Sequence, residues 1–288
     1  MASTRGFEHL HVIAKAIHEL YRGFSSKHLK SYPDTFALDT SVDDLYRDAV
    51  IGTQHLAKRI AAHYRLPVTT VVVTFSSSLK PPGRVELSSS NEFFVELQSQ
   101  YRSSPKAIGA ILAHEVAHIF LHRCGVRFPD EFENEVLTDT TAVYVGFGPT
   151  ILNAASESTN RLPNNMFQTH THHFGYLTLD EFGYILAKRD GVYGTDSAFK
   201  IDSRISTSAF QCGRSRYQEE LRSRPFVVRP WHQRLWHSMS GDGASSSKVV
   251  RHITFTCHCC SQGLRIPEAY RKLSVHCPTC DSRFLCYS

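Results

Sequence analysis

The stretch "AILAHEVAHIFLHRC", residues 110–124, decides how the rest of the chain is read. It is apolar on every side apart from three histidines, one glutamate and an arginine, so it reads as a buried helix. Within it, His114-Glu115-Val116-Ala117-His118 places two imidazoles four residues apart. On a helix they project from one face, about 6 Å apart along the axis. Both then reach a single tetrahedral zinc ion at roughly 2.0–2.1 Å. Glu115, one position round, faces the open side of such an ion and serves as a base there rather than as a ligand. A plain core helix is the competing reading, but it leaves buried imidazole nitrogens in need of partners.

A zinc site of this kind needs a third ligand. His122 lies eight residues after His114, about 12 Å along the same helix, and an unbroken helix cannot bring it to the same ion. The better candidate is Glu135 in "DEFENEVLTDTTAVYVGFG" (130–148), a second predicted helix closed by a Gly-x-Gly-Pro stop at 146–149. Asp139, one turn beyond Glu135, is placed to accept the N–H of a ligated histidine. Two helices carrying complementary ligand sets raise the metal reading well above what a bare HExxH string supports.

These residues carry a resemblance. HExxH followed by Asn-Glu-x-x-Thr-Asp is similar to the gluzincin pattern, and the short spacing resembles the ImmA/IrrE-type metallopeptidases. "HEVAHIFLHRCG", the Glu-x-x-x-Asp helix and a C-terminal cysteine module together resemble the CapP-type members of that family, associated with bacterial CBASS anti-phage systems. The resemblance covers residues 105 to about 190 plus the cysteine module. It implies an α+β fold: a helical zincin-like domain with a small sheet. It also implies an intracellular zinc endopeptidase that cleaves a helix-turn-helix transcriptional repressor and is stimulated by single-stranded DNA. For Cys124, six residues after His118, it implies a thiolate that occupies the fourth zinc position and holds the enzyme inactive. On the residues alone, a cysteine near a helix end is more often a packed small hydrophobe.

A developing oxyanion needs a donor besides the metal. "THTHHFGY" (169–176) offers His170, His172, His173 and Tyr176 just before a third helix, whose start is marked by a Thr178–Glu181 capping box. The sequence does not choose among them. Upstream, "DLYRDAVIGTQHLAKRIAAHYRL" (44–66) has helical spacing and ends before Pro67. "TTVVVTF" (69–75), "GRVELS" (83–88) and "NEFFVELQ" (91–98) read as a small antiparallel sheet. Ser104 and Pro105 supply the N-cap and first-turn proline of the histidine helix.

Near the C-terminus, Cys257-x-x-Cys260 and Cys277-x-x-Cys280 form two knuckles of a closed four-thiolate site, which folds a zinc ribbon and leaves no position for water. Cys259 has poorer spacing and Cys286 no obvious partner. The chain carries a formal net charge of +5, but residues 201–288 hold 13 Lys/Arg against 6 Asp/Glu. Within them "RSRPFVVRPWHQRLWH" (222–237) interleaves Arg224, Arg229 and Arg234 with Trp231 and Trp236, the mixture of cations and aromatic faces that single-stranded nucleic acid binding uses. The tryptophans serve equally as core anchors.

The expected organisation is a metallopeptidase domain over 1–240, a flexible linker over 241–249 and the ribbon over 250–288, with two zinc ions, one catalytic and one structural. No long apolar run or secretory leader is evident, and the cysteines fall in metal-type pairs, so a soluble cytoplasmic protein without membrane contact is expected. The alternative function is a nucleic-acid sensor whose HExxH zinc is structural.

Overall fold

The structure, a computed structural model, describes residues 6–24, 29, 31–32, 34–38, 42–66, 70–87, 91–161 and 167–223, together with four strands between 252 and 287. Helix α1 (Leu10–Gly23) precedes α2 (Val42–Arg47) and α3 (Ala49–His63). Three strands follow, β1 (Thr70–Ser76), β2 (Gly83–Glu86) and β3 (Glu92–Gln98). Next come α4 (Pro105–Cys124), α5 (Glu131–Ala142), α6 (Gly148–Asn153), the hairpin β4 (Ser156–Arg161) with β5 (Phe167–His172), then α7 (Leu179–Tyr193) and α8 (Arg204–Ser223). The fold is α+β and mostly helical, as expected.

Helix α4 is the centre of the molecule. It starts where the sequence places it: Ser104 accepts the Ala107 N–H at 3.4 Å, Pro105 occupies the first turn, and Gly125 ends the helix at φ 64°. Leu112, Val116, Ile119 and Phe120 are each fully buried. At about 1.5–3 kcal/mol per buried side chain, such packing outweighs the cost of the few polar groups that ride with it.

Three expectations need correction. The predicted helix over 44–66 is two helices, because Asp48 leaves the helical region and caps α3, accepting the Val50 N–H at 2.8 Å and the Ile51 N–H at 3.1 Å. The second predicted helix, 130–148, does not stop at 146–149. It passes through a π-helical turn at Val143–Phe147, kinks at Gly146 (φ 117°, ψ 7°) and resumes as α6. Finally, the sheet is mixed rather than antiparallel, in the order β1-β3-β2, with β1 parallel and β2 antiparallel to β3. Strand β3, whose Phe93, Val95 and Leu97 are fully buried, takes the centre. The short, half-exposed β2 is left at one edge. Gln54 of α3 covers the opposite edge, bonding the Val71 carbonyl and accepting the Val73 N–H at 2.9 Å.

Beyond Lys200, α8 occupies a stretch the sequence left unassigned and packs along α7. The strands β6 (His252–Thr256), β7 (Gly263–Pro267), β8 (Lys272–His276) and β9 (Arg283–Tyr287) pair as two antiparallel hairpins. The predicted linker and the four ligand cysteines lie outside the described residues. Among the described residues no helix is long and apolar enough to cross a membrane.

The kink at Gly146 yields a test. A β-carbon there would stand 2.6 Å from the Asp34 carbonyl oxygen and 3.1 Å from His63 Nε2, in a backbone region that other residues rarely adopt. Gly146→Ala is expected to lower stability by roughly 2–4 kcal/mol in urea denaturation. An unchanged midpoint would show that the kink is not constrained.

Candidate metal centre

Helices α4 and α5 bring together the residues the sequence singled out. His114 Nε2 lies 3.1 Å from His118 Nε2 and 3.1 Å from Glu135 Oε2, and His118 Nε2 lies 3.2 Å from the same oxygen. These three atoms form a nearly equilateral triangle. Ligands at roughly 2.0–2.1 Å from a tetrahedral ion stand about 3.3–3.4 Å from one another. The triangle therefore matches one face of such a ligand set.

The hydrogen bonds behind the triangle say why it needs a cation. His114 Nδ1 donates to Asp139 Oδ1 at 2.8 Å. Thr138 Oγ1 donates to the Asn134 carbonyl at 2.9 Å, which leaves a lone pair for the His118 Nδ1–H at 3.3 Å. With both Nδ1 atoms protonated, both Nε2 atoms present lone pairs, and they do so toward a carboxylate oxygen. In that tautomer three acceptors surround one point, an arrangement suited to positive charge. A proton serves one of the contacts, whereas a metal ion serves all three.

The electrostatics agree. Burial pushes the His114 imidazolium down, but Asp139, Glu135 and Glu115 together raise its pKa well above the usual value. Burial also works against the Glu135 carboxylate, yet hydrogen bonds and charge from His114 and His118 outweigh it and bring its pKa down to about 2. Both shifts show that the corner attracts positive charge, which a proton on His114 supplies and a metal ion would replace.

Glu115 is not part of the triangle. It is buried at 6% exposure beside it and lines the same cleft, of about 480 Å³. Burial raises its pKa, against the pull of the two imidazoles. The opposite wall is β2: a β-carbon on Gly83 would stand 2.7 Å from Glu115 Oε1, so the glycine lets the strand come this close.

Of the four donor candidates, His173 and Tyr176 line the metal cleft and His172 does not. The side chain of His170 lies outside the described residues. Tyr176 is 52% exposed, its ring lies over His114 with centroids 6.2 Å apart, and its backbone N–H donates to Asp139 Oδ2 at 2.7 Å. Burial, then the charges of Glu135 and Asp139, raise its pKa and keep its hydroxyl protonated.

Cys124 is not brought to the triangle. It is 6% exposed, packed in the hydrophobic core at the last residue of α4, and absent from the cleft wall. Six residues of regular helix carry it about 9 Å past His118 along the axis, so the small-hydrophobe reading describes its position. His122 likewise takes no place in the triangle. Cys257, Cys260, Cys277 and Cys280, and the arginines and tryptophans at 224–236, lie outside the described residues.

Sequence reasoning missed Thr138, the partner of His118, and two glycines. Gly175 has φ 95°, and a β-carbon on it would stand 2.7 Å from both Asp139 oxygens. The signal was a glycine beside a candidate tyrosine. For Gly83 it was the preceding Pro81-Pro82, which ends a turn and opens β2. Compared with known proteins, the chain matches no family model, no curated protein and no solved structure.

His118→Ala is expected to remove one bound metal equivalent from the chain, read by elemental analysis. Asp139→Asn keeps all three ligands but misorients His114, and is expected to weaken the same site about 10–100-fold in competition with a chelator. Equal affinity in Asp139→Asn would show that the carboxylate does not position the ligand.

Proposed function

We propose that the chain is a zinc-dependent endopeptidase of the ImmA/IrrE-like kind, acting in the cleft between β2 and helices α4 and α5. The observation that carries this reading is Glu115: a buried carboxylate with a raised pKa beside a three-ligand cluster that it does not join. A purely structural site has no use for it.

His114, His118 and Glu135 would hold the ion, with Asp139 and Thr138 fixing the two imidazoles. Zinc in that position supplies Lewis acidity, which eases deprotonation of water and polarises a carbonyl. Glu115 then takes the proton of the attacking water and returns it to the departing amine. Tyr176 and His173 line the cleft, and the protonated Tyr176 hydroxyl would be the donor to the carbonyl oxygen. The edge of β2 facing the cleft offers backbone groups to an extended substrate, which favours a peptide strand over a compact ligand.

The finer parts of the proposal come from the resemblance. The substrate would be a helix-turn-helix repressor, the activator single-stranded DNA bound through the 222–237 segment, and a second, structural zinc would be held by Cys257, Cys260, Cys277 and Cys280. Each CxxC pair falls in the segment joining the two strands of one hairpin, where a knuckle belongs.

Glu115→Gln preserves shape and metal ligands but removes the base. It is expected to retain bound zinc while losing about 10²–10⁴-fold in peptide cleavage. Cleavage at the wild-type rate in this variant would exclude Glu115 as the base and with it the mechanism.

A further inference from the structure

A second cavity lies beyond the metal cleft. It has about 560 Å³, and among the described residues His173 and Phe174 belong to the walls of both cavities. Tyr101 meets Phe174 edge-on from the far side, with ring centroids 5.2 Å apart. The remaining wall includes Ser104, Lys106, Asn153, His172 and Ser203.

The two chambers differ in the charged groups that line them. The metal cleft carries the acids Glu115 and Glu135, with Arg84 on the β2 wall. Among the described residues, no acidic side chain lines the second cavity, which instead presents Lys106 with His172 and His173. Asn153 is already occupied, donating to the Lys200 carbonyl at 2.8 Å and accepting the Asp202 N–H at 3.0 Å. Lys106 reaches outward to Asp202 at 2.7 Å, with both side chains 51% exposed. An ion pair this exposed contributes little, so a carboxylate entering the cavity can replace Asp202 at small cost.

Distance sets the register. Lys106 and His114 are on the same helix, eight residues and about 12 Å apart along its axis. An extended chain advances about 3.3 Å per residue, so a substrate crossing the metal centre brings its third or fourth residue from the cleaved bond to Lys106.

Resting on the peptidase reading, we infer that this cavity is the continuation of the substrate groove, and that it selects an acidic side chain three or four residues from the scissile bond. His173 and Phe174 form the sill over which the chain passes. The groove thereby accepts a carboxylate about two helix turns from the metal centre.

The test uses the full zinc-loaded chain and a synthetic decapeptide library, with cleaved bonds mapped by mass spectrometry. Pairs of cleaved peptides differing only by Glu or Lys at the mapped position are then compared in kcat/KM. The wild-type chain is expected to favour Glu over Lys by roughly tenfold, and Lys106→Glu to invert that ratio. Because the readout is a ratio within one enzyme sample, a general loss of activity in the variant cancels. Cleavage without an acidic preference at that distance, or a ratio unchanged in Lys106→Glu, would overturn the inference and leave the peptidase standing. Zinc-loaded protein that cleaves no member of the library would remove the peptidase reading and this inference with it.

Discussion

Asp139 is the group on which the site depends. It is almost completely buried, and it accepts from two directions, the imidazole of His114 and the backbone amide of Tyr176. An unpaired carboxylate in such a place costs several kcal/mol, and these two hydrogen bonds offset that. The consequence is geometric. One side chain of α5 sets the tautomer of a ligand on α4 and the position of the loop that precedes α7. Gly175 completes the arrangement, since any side chain there would run into the same carboxylate.

Charge balance explains why the corner tolerates so many acids. Glu115, Glu135 and Asp139 surround two imidazoles whose inner nitrogens carry lone pairs. Three carboxylates around two imidazoles attract positive charge, whether a proton on a ring or a metal ion. The rise in the His114 pKa comes from that negative charge acting against burial, whereas the raised value at Glu115 comes first from burial. A divalent ion held by the triangle would remove most of that excess negative charge and leave one carboxylate, Glu115, in reach of a proton. Stability of the cluster and its chemistry thus come from the same arrangement of charges.

How much of this was legible in the sequence follows from how local each signal is. Helix α4 was, from cap to C-terminal glycine, because its start, stop and ligands lie within one continuous segment. Glu135 and Asp139 were, because helical spacing places them one turn apart. The capping box of α7 was for the same reason: Thr178 and Glu181 satisfy each other's backbone amides without help from the rest of the fold. Strand order was not, since the choice of β3 as the central strand depends on what packs against each face. Nor was the continuation through Gly146, because a glycine reads as a stop until the close approach of Asp34 and His63 shows what it accommodates. The position of Cys124 depends on which side of α4 meets the core, and an all-round apolar helix does not announce that.

The most direct measurement is anomalous diffraction from crystals of the zinc-loaded chain at the zinc absorption edge. A peak at about 2.0–2.1 Å from His114 Nε2, His118 Nε2 and Glu135 Oε2 is the expected result, with Glu115 unligated beside it. Crystals with excess zinc that show no peak there, or a peak ligated by Glu115 in place of Glu135, would contradict a three-ligand centre with a separate base.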